Sequence, residues 1–157
     1  MTSCLDWQCK PFNQLNCNEL YDLLKLRIDV FVVEQTCYYP DLDDLDRHPE
    51  TLHVFLYQES KMTAYLRILA PGTSYPEQPS IGRVLTAQYA RGNGLGHPLI
   101  KKGIEACQAN FPGLEIKISA QEHLTDYYGQ HGFIVCSEPY LEDGIPHIGM
   151  KLPSLQL

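Results

Sequence analysis

Basic residues are few in this chain: 12 Lys and Arg stand against 19 Asp and Glu, a formal charge of −7 over 157 residues. Nucleic-acid binding draws on many phosphate contacts from a basic surface, so this balance argues against DNA or RNA as a partner. It is compatible with a cationic substrate such as an amine. No stretch approaches the roughly 18 apolar residues of a membrane-spanning helix. The first ten residues, MTSCLDWQCK, lack a basic start followed by an apolar core. That argues against a secretory signal and for a cytoplasmic protein. The six cysteines, Cys4, Cys9, Cys17, Cys37, Cys107 and Cys136, contain no C-x-x-C pair. In a cytosolic chain they are expected as reduced thiols. No Cys or His pair at zinc-like spacing has a second pair to match it, so no metal is expected, and His48 and His53 read as incidental. Repeats, low-complexity tracts and linkers are also missing, which leaves a single domain over residues 1–157.

What is present is an alternation of short apolar runs. Residues 5–12 alternate as a first strand. Asn16, with Glu19 three positions on, opens a helix through a capping box. Its apolar stripe is Leu20, Leu23, Leu24, Ile28 and Phe31. Arg27 falls inside that stripe, which reads either as a packed stem with a snorkelling head or as a buried guanidinium with an acidic partner. Residues 37–49 form a long loop, a length often found in binding loops. Its acidic cluster, Asp41, Asp43, Asp44 and Asp46, reads as solvated. Residues 52–57 and 62–69 read as a hairpin turning near Glu59-Ser60. Strands at 81–87 and 114–120 flank a helix that ends near Asn110. A short helix at 123–130 and strands at 133–135 and 145–152 complete a β-α-β-β-β-α-β-α-β-β order, an α/β layered fold.

Between the strand at 81–87 and the helix lies Arg91-Gly92-Asn93-Gly94-Leu95-Gly96. A glycine-rich turn that opens a helix leaves backbone N–H groups without partners. The helix dipole adds partial positive charge there, and glycine allows close approach to the backbone. Such a turn suits phosphate, and hence a diphosphate-bearing ligand. It is not the dinucleotide fingerprint, because His97 stands where G-x-G-x-x-G wants its third glycine. No Gly-Lys-Ser/Thr ending makes it a P-loop either.

Residues 91–96 resemble the Q/R-x-x-G-x-G/A loop of the GNAT superfamily of N-acetyltransferases. Downstream, Tyr127-Tyr128-Gly129-Gln130-His131-Gly132-Phe133 is similar to that family's [FY]-Y-x-x-x-G-F segment, with Gln121 where the family often has Asn. Further segments resemble the ElaA-like branch: residues 26–35, Asp43 to Asp46, and residues 142–150. The resemblance runs from about Trp7 to Met150. It implies the GNAT (acyl-CoA N-acyltransferase) fold, a mixed central sheet flanked by helices. His97-Pro98 departs from a regular member, since proline removes one N–H from the first turn of the phosphate-binding helix.

The resemblance further implies acetyl-CoA as co-substrate, with no metal. A small-molecule or peptide amine would be the acceptor, neither nucleic acid nor membrane being a partner, and a homodimer stays open. Arg91, Gly92, Asn93, Gly94, Leu95 and Gly96 would hold the pyrophosphate. Backbone groups of Val84, Leu85 and Thr86 would pair with the pantetheine arm. An N–H of Leu85 or Thr86 would serve the oxyanion, a donor worth on the order of 3 kcal/mol of barrier. Tyr128 would be the general acid for the departing thiolate. An alkylamine with a pKa near 10.4 is about one part in 10³ neutral at pH 7, so a general base is expected. His147, which titrates in a suitable range, is the first candidate. Glu34, Glu142 and His123 follow. Two alternatives remain: an acyl-homoserine-lactone-synthase-like acyltransferase, which residues 27–31 and the acidic loop also resemble, and a non-catalytic acyl-CoA-binding module.

Overall fold

The capping box forms. In the computed structural model, which describes residues 5–154, the Asn16 side chain accepts from the Glu19 N–H at 2.7 Å. The Glu19 carboxylate accepts from the Asn16 N–H at 3.0 Å in return. Cys4 and the rest of the first four residues lie outside the described range. Helix α1 (Cys17–Arg27) follows β1 (Trp7–Pro11) and continues without a break into a π-helical turn, Ile28–Glu34. The buried face of this pair is Leu23, Leu26, Arg27 and Val30. The stripe expected from the sequence is displaced by it: of those residues only Leu23 is fully buried. Arg27 turns that face inward by meeting acidic partners, and apolar periodicity does not register such a residue.

The hairpin of β2 (Leu52–Gln58) and β3 (Lys61–Leu69) turns through Glu59 and Ser60, both at positive φ. With β1 and β4 (Ser80–Thr86) these strands make an antiparallel sheet in the order β1-β2-β3-β4. Neighbouring β3 residues face opposite sides. Tyr65 lies under the Arg27 guanidinium, whereas Leu66 meets Gly103 of α2 (Gly96–Asn110). The two helices therefore cover opposite faces, and β3 is buried on both.

A second antiparallel sheet holds β5 (Ile116–Gln121), β6 (Ile134–Val135), β7 (Tyr140–Glu142) and β8 (Ile145–Leu152), with β8 central. Short helix α3 (Thr125–Gly129) joins β5 to β6. Strand β7 was not expected. Its signal is the Asp143-Gly144 pair, both at positive φ, which is the tight-hairpin turn. Lys117 N–H donates to Pro79 C=O at 3.0 Å, where β4 and β5 both begin. From that junction the two strands run in the same sense, which supplies the mixed character of the sheet. Beyond it they part and leave a cleft. No helix among the described residues is long and apolar enough to cross a membrane.

Candidate active site

The cleft between β4 and β5 has a volume of about 440 Å3. On one wall stand Arg67, Ser80, Gly82, Arg83 and Val84; on the other, Ser119, Gln121, Tyr128, Glu142 and His147. Phe31, Gln35, Cys37 and Tyr39 close one side. The parting of the strands has a local cause. The β3–β4 register jumps from Tyr65 opposite Leu85 to Arg67 opposite Gly82, so Arg83 and Val84 together face Leu66 alone. This is a β-bulge, and Arg83 adopts φ 52° within it. A bulge frees backbone groups from the ladder and bends the strand. Here it turns the free edge of β4 toward the cleft.

Five residues named from the sequence meet in this cleft: Val84, Gln121, Tyr128, Glu142 and His147. Tyr128 is 8% exposed and packs edge-on against Tyr127 and Phe133, with ring centroids 5.3 and 6.0 Å away. Burial, then the neighbouring Tyr127, pushes its pKa above the ordinary tyrosine range. His147 lies opposite Gln121 on β5 and opposite Tyr140 on β7. Its Nδ1 is 2.7 Å from the Ile145 carbonyl, an oxygen that can only accept, so Nδ1 carries the proton. Its Nε2 faces a Glu142 carboxylate oxygen at 3.3 Å.

The other named residues are placed differently. The Leu85 side chain is buried in the core, and Thr86 lies opposite Ala64 at the end of β4. Arg91 is committed to Glu34 through two bonds, at 2.5 and 2.7 Å, with a third to the Thr86 carbonyl. That pairing, chiefly the Arg91 hydrogen bond, holds the Glu34 carboxyl below its ordinary range. Glu34 is thereby a poor proton acceptor. His123 is exposed and stands outside the cleft lining.

The glycine turn lies past the far end of β4. Gly92 and Gly94 have φ of 89° and 71°, conformations that favour glycine. Asn93 is exposed, whereas Leu95 is buried and anchors the turn. A Cβ on Gly96 would come within 2.7 Å of the Tyr127 hydroxyl, so a side chain here would have to displace Tyr127. The first backbone bond of α2 runs from Leu99 N–H to Leu95 C=O. Gly96 and His97 therefore keep N–H groups outside the helical ladder, and Pro98 takes the place of a third. His97 Nδ1 and His131 Nε2 sit 2.8 Å apart beside Tyr127.

One constellation was expected only in part: the buried-guanidinium reading of Arg27 holds, and the rest of its network was not foreseen. The acidic loop is solvated only in part: Asp44 is exposed, but Asp41 and Asp46 are 2% and 6% exposed. Arg27, fully buried, bonds Asp41 at 2.9 Å and Asp46 at 2.5 Å. Burial opposes its charge; Tyr65, Asp46 and Asp41 outweigh it and hold the guanidinium charged. Arg67 bonds Asp43 and Asp46, and Arg83 bonds Asp41. His53 is not incidental either. It is fully buried between the Tyr65 hydroxyl at 2.7 Å and the Asp46 carbonyl at 3.1 Å. The early signal was Arg27 in an apolar stripe beside a nearby run of aspartates; Arg67 and Arg83 carried none.

An acetyltransferase (GNAT) domain family matches residues 29–154. The chain belongs to that family. Protein ElaA of Escherichia coli is 39% identical over 152 residues, covering 97% of this chain and 99% of ElaA. The crystal structure of E. coli ElaA superposes with a TM-score of 0.88, over 95% of this chain and 99% of ElaA. An acyl-CoA N-acyltransferase from Pseudomonas aeruginosa superposes with a TM-score of 0.90 at 45% identity, over 95% of this chain and 99% of the other. This GNAT chain is thus ElaA-like in sequence and in fold, and its family implies acyltransferase activity using an acyl-CoA.

Proposed function

We propose that this GNAT protein is an acetyl-CoA-dependent N-acetyltransferase, moving the acetyl group directly to a primary amine in a ternary complex. The observation that carries the reading is the meeting, in one cleft, of the Tyr128 ring, the His147–Glu142 pair and the bulged free edge of β4. The amine nitrogen attacks the thioester carbonyl carbon and the C–S bond breaks. In the neutral imidazole with its proton on Nδ1, His147 Nε2 takes the amine proton. Glu142 then pairs with the imidazolium. The departing thiolate takes a proton from the Tyr128 hydroxyl. Backbone N–H groups along residues 83–86 of β4 supply the oxyanion donor. The turn at residues 91–96, with the free Gly96 and His97 N–H groups, takes the pyrophosphate. Cytoplasmic residence fits this chemistry, since acetyl-CoA and reduced thiols belong together.

Calorimetric titration with acetyl-CoA, beside free CoA and NADH, tests the coenzyme assignment. Saturable binding of acetyl-CoA and none of NADH is the expected result. An amine screen with CoA release as readout then tests transfer. A protein that binds acetyl-CoA but acetylates no amine would be a sensor, and long-acyl donors alone would favour the lactone-synthase-like reading.

A further inference from the structure

Arg67 is the one residue of the described cleft with a buried polar atom left without a partner. Its side chain is 4% exposed, and its Nε–H meets no acceptor, although Arg67 is among the residues lining the cleft. Its two terminal nitrogens are already used, by Asp43 and Asp46. Arg83 stands beside it on the same wall with Nε and Nη2 bonded to Asp41, and no acceptor meets Nη1 among the described residues. Three arginines here face three aspartates, so every carboxylate of the cluster is engaged while donors remain. A buried donor without an acceptor is costly, more so when charged, and such a cost is relieved by a ligand oxygen. Ser80, whose hydroxyl can donate, lines the same wall.

The opposite wall has the reverse character. His147 and Glu142 there accept protons, and an amine belongs on that side. We infer that the acceptor is amino-acid-like: its amine is set near His147, and a carboxylate or amide carbonyl a few atoms away accepts from Arg67 Nε–H and Arg83 Nη1. A plain alkylamine would leave both donors unmet. This inference rests on the transferase reading for the identity of the site. The donor subsite itself is measurable without turnover.

The test uses acetylated products as ligands, titrated by calorimetry with and without CoA. N-acetylglycine and N-acetyl-β-alanine are set against N-ethylacetamide and N-propylacetamide, which have the same shape without the distal oxygens. The amides of the two acids form a third arm. Tighter binding of the acids or their amides by at least about tenfold is expected, since charge-assisted hydrogen bonds carry that much. Preference for the acids points to a carboxylate; equal gain from the amides points to a carbonyl such as a peptide's. Arg67→Lys keeps a positive charge beside Asp43 and Asp46 but removes Nε–H, and is expected to erase the preference while N-ethylacetamide binds as before. Should that variant fail to fold, Arg83→Lys is expected to reduce the preference severalfold. Equal affinity for all three arms, as when water serves these donors, or a preference unchanged by a folded variant, overturns the inference. Amine acetylation without any such preference would remove the subsite and leave the transferase. A preference without acetylation of any amine would do the reverse.

Discussion

Replacing Arg27 by Met removes a charge from the interior without emptying its volume, and the structure gives the size of the effect. Arg27 is fully buried and makes three bonds, to the Asp41 carboxylate, the Asp41 carbonyl and the Asp46 carboxylate. Breaking one side of a buried ion pair costs roughly 3–5 kcal/mol, because the partner charge is left uncompensated. Two facts set the value toward the lower end. Arg83 still bonds Asp41, and Arg67 still bonds Asp46. A loss of about 3 kcal/mol follows, which for a chain of this size lowers Tm by roughly 6–12 °C. Urea unfolding of Arg27→Met beside the parent measures it. Adding Asp46→Asn to Arg27→Met restores the charge balance of the cluster, so the double variant is expected to be more stable than the sum of the two single losses predicts. An Arg27→Met protein within about 1 kcal/mol of the parent, or a strictly additive double variant, would refute the account of a mutually dependent buried network.

Tyr128→Phe keeps the packing against Tyr127 and Phe133, so acetyl-CoA affinity is expected to hold while kcat falls by about 10²-fold; full kcat with a good acceptor would remove the general-acid role. Gly94→Glu forces a side chain onto a residue at φ 71° and sets a carboxylate where a pyrophosphate is proposed to lie, so calorimetry should detect no acetyl-CoA binding. Stability is expected to fall in acid in two stages. Burial lowers the His53 pKa from its ordinary 6.5. The unfolded chain therefore takes up a proton below about pH 6.5 that the folded chain resists, and stability is lost until the folded-state pKa is passed. Burial alone would raise Asp46, but Arg27 and Arg67 pull it below its ordinary 3.8, so a second loss begins beneath that value. Denaturation midpoints that stay level between pH 8 and pH 5.5 would contradict the first stage.

The glycine turn, the Tyr128 segment, the Asn16 capping box and the Glu59-Ser60 hairpin were legible because each is local. A turn, a cap or a helix start is specified by residues within a few positions of one another, so a linear reading reaches it. Where the reading failed, distance in sequence was the reason. Asp41 and Asp46 look like solvent-facing residues until Arg27, Arg67 and Arg83 arrive from α1, β3 and β4. Arg67 and Arg83 carry no motif at all, and the bulge that sets Arg83 into the cleft is a mismatch between two strands. His147 was named on its segment and its titration range; its two oxygen neighbours came only with the β7–β8 hairpin.

The sequence by itself determined the element order apart from β7, the phosphate-suited turn and the family, since these depend on short-range backbone preference and on contiguous motifs. Tertiary structure alone decided which charges are buried, which donors remain unmet and which side chains share the cleft. Burial and pairing are properties of several segments at once, and the free energy of a charge depends on its neighbours in space.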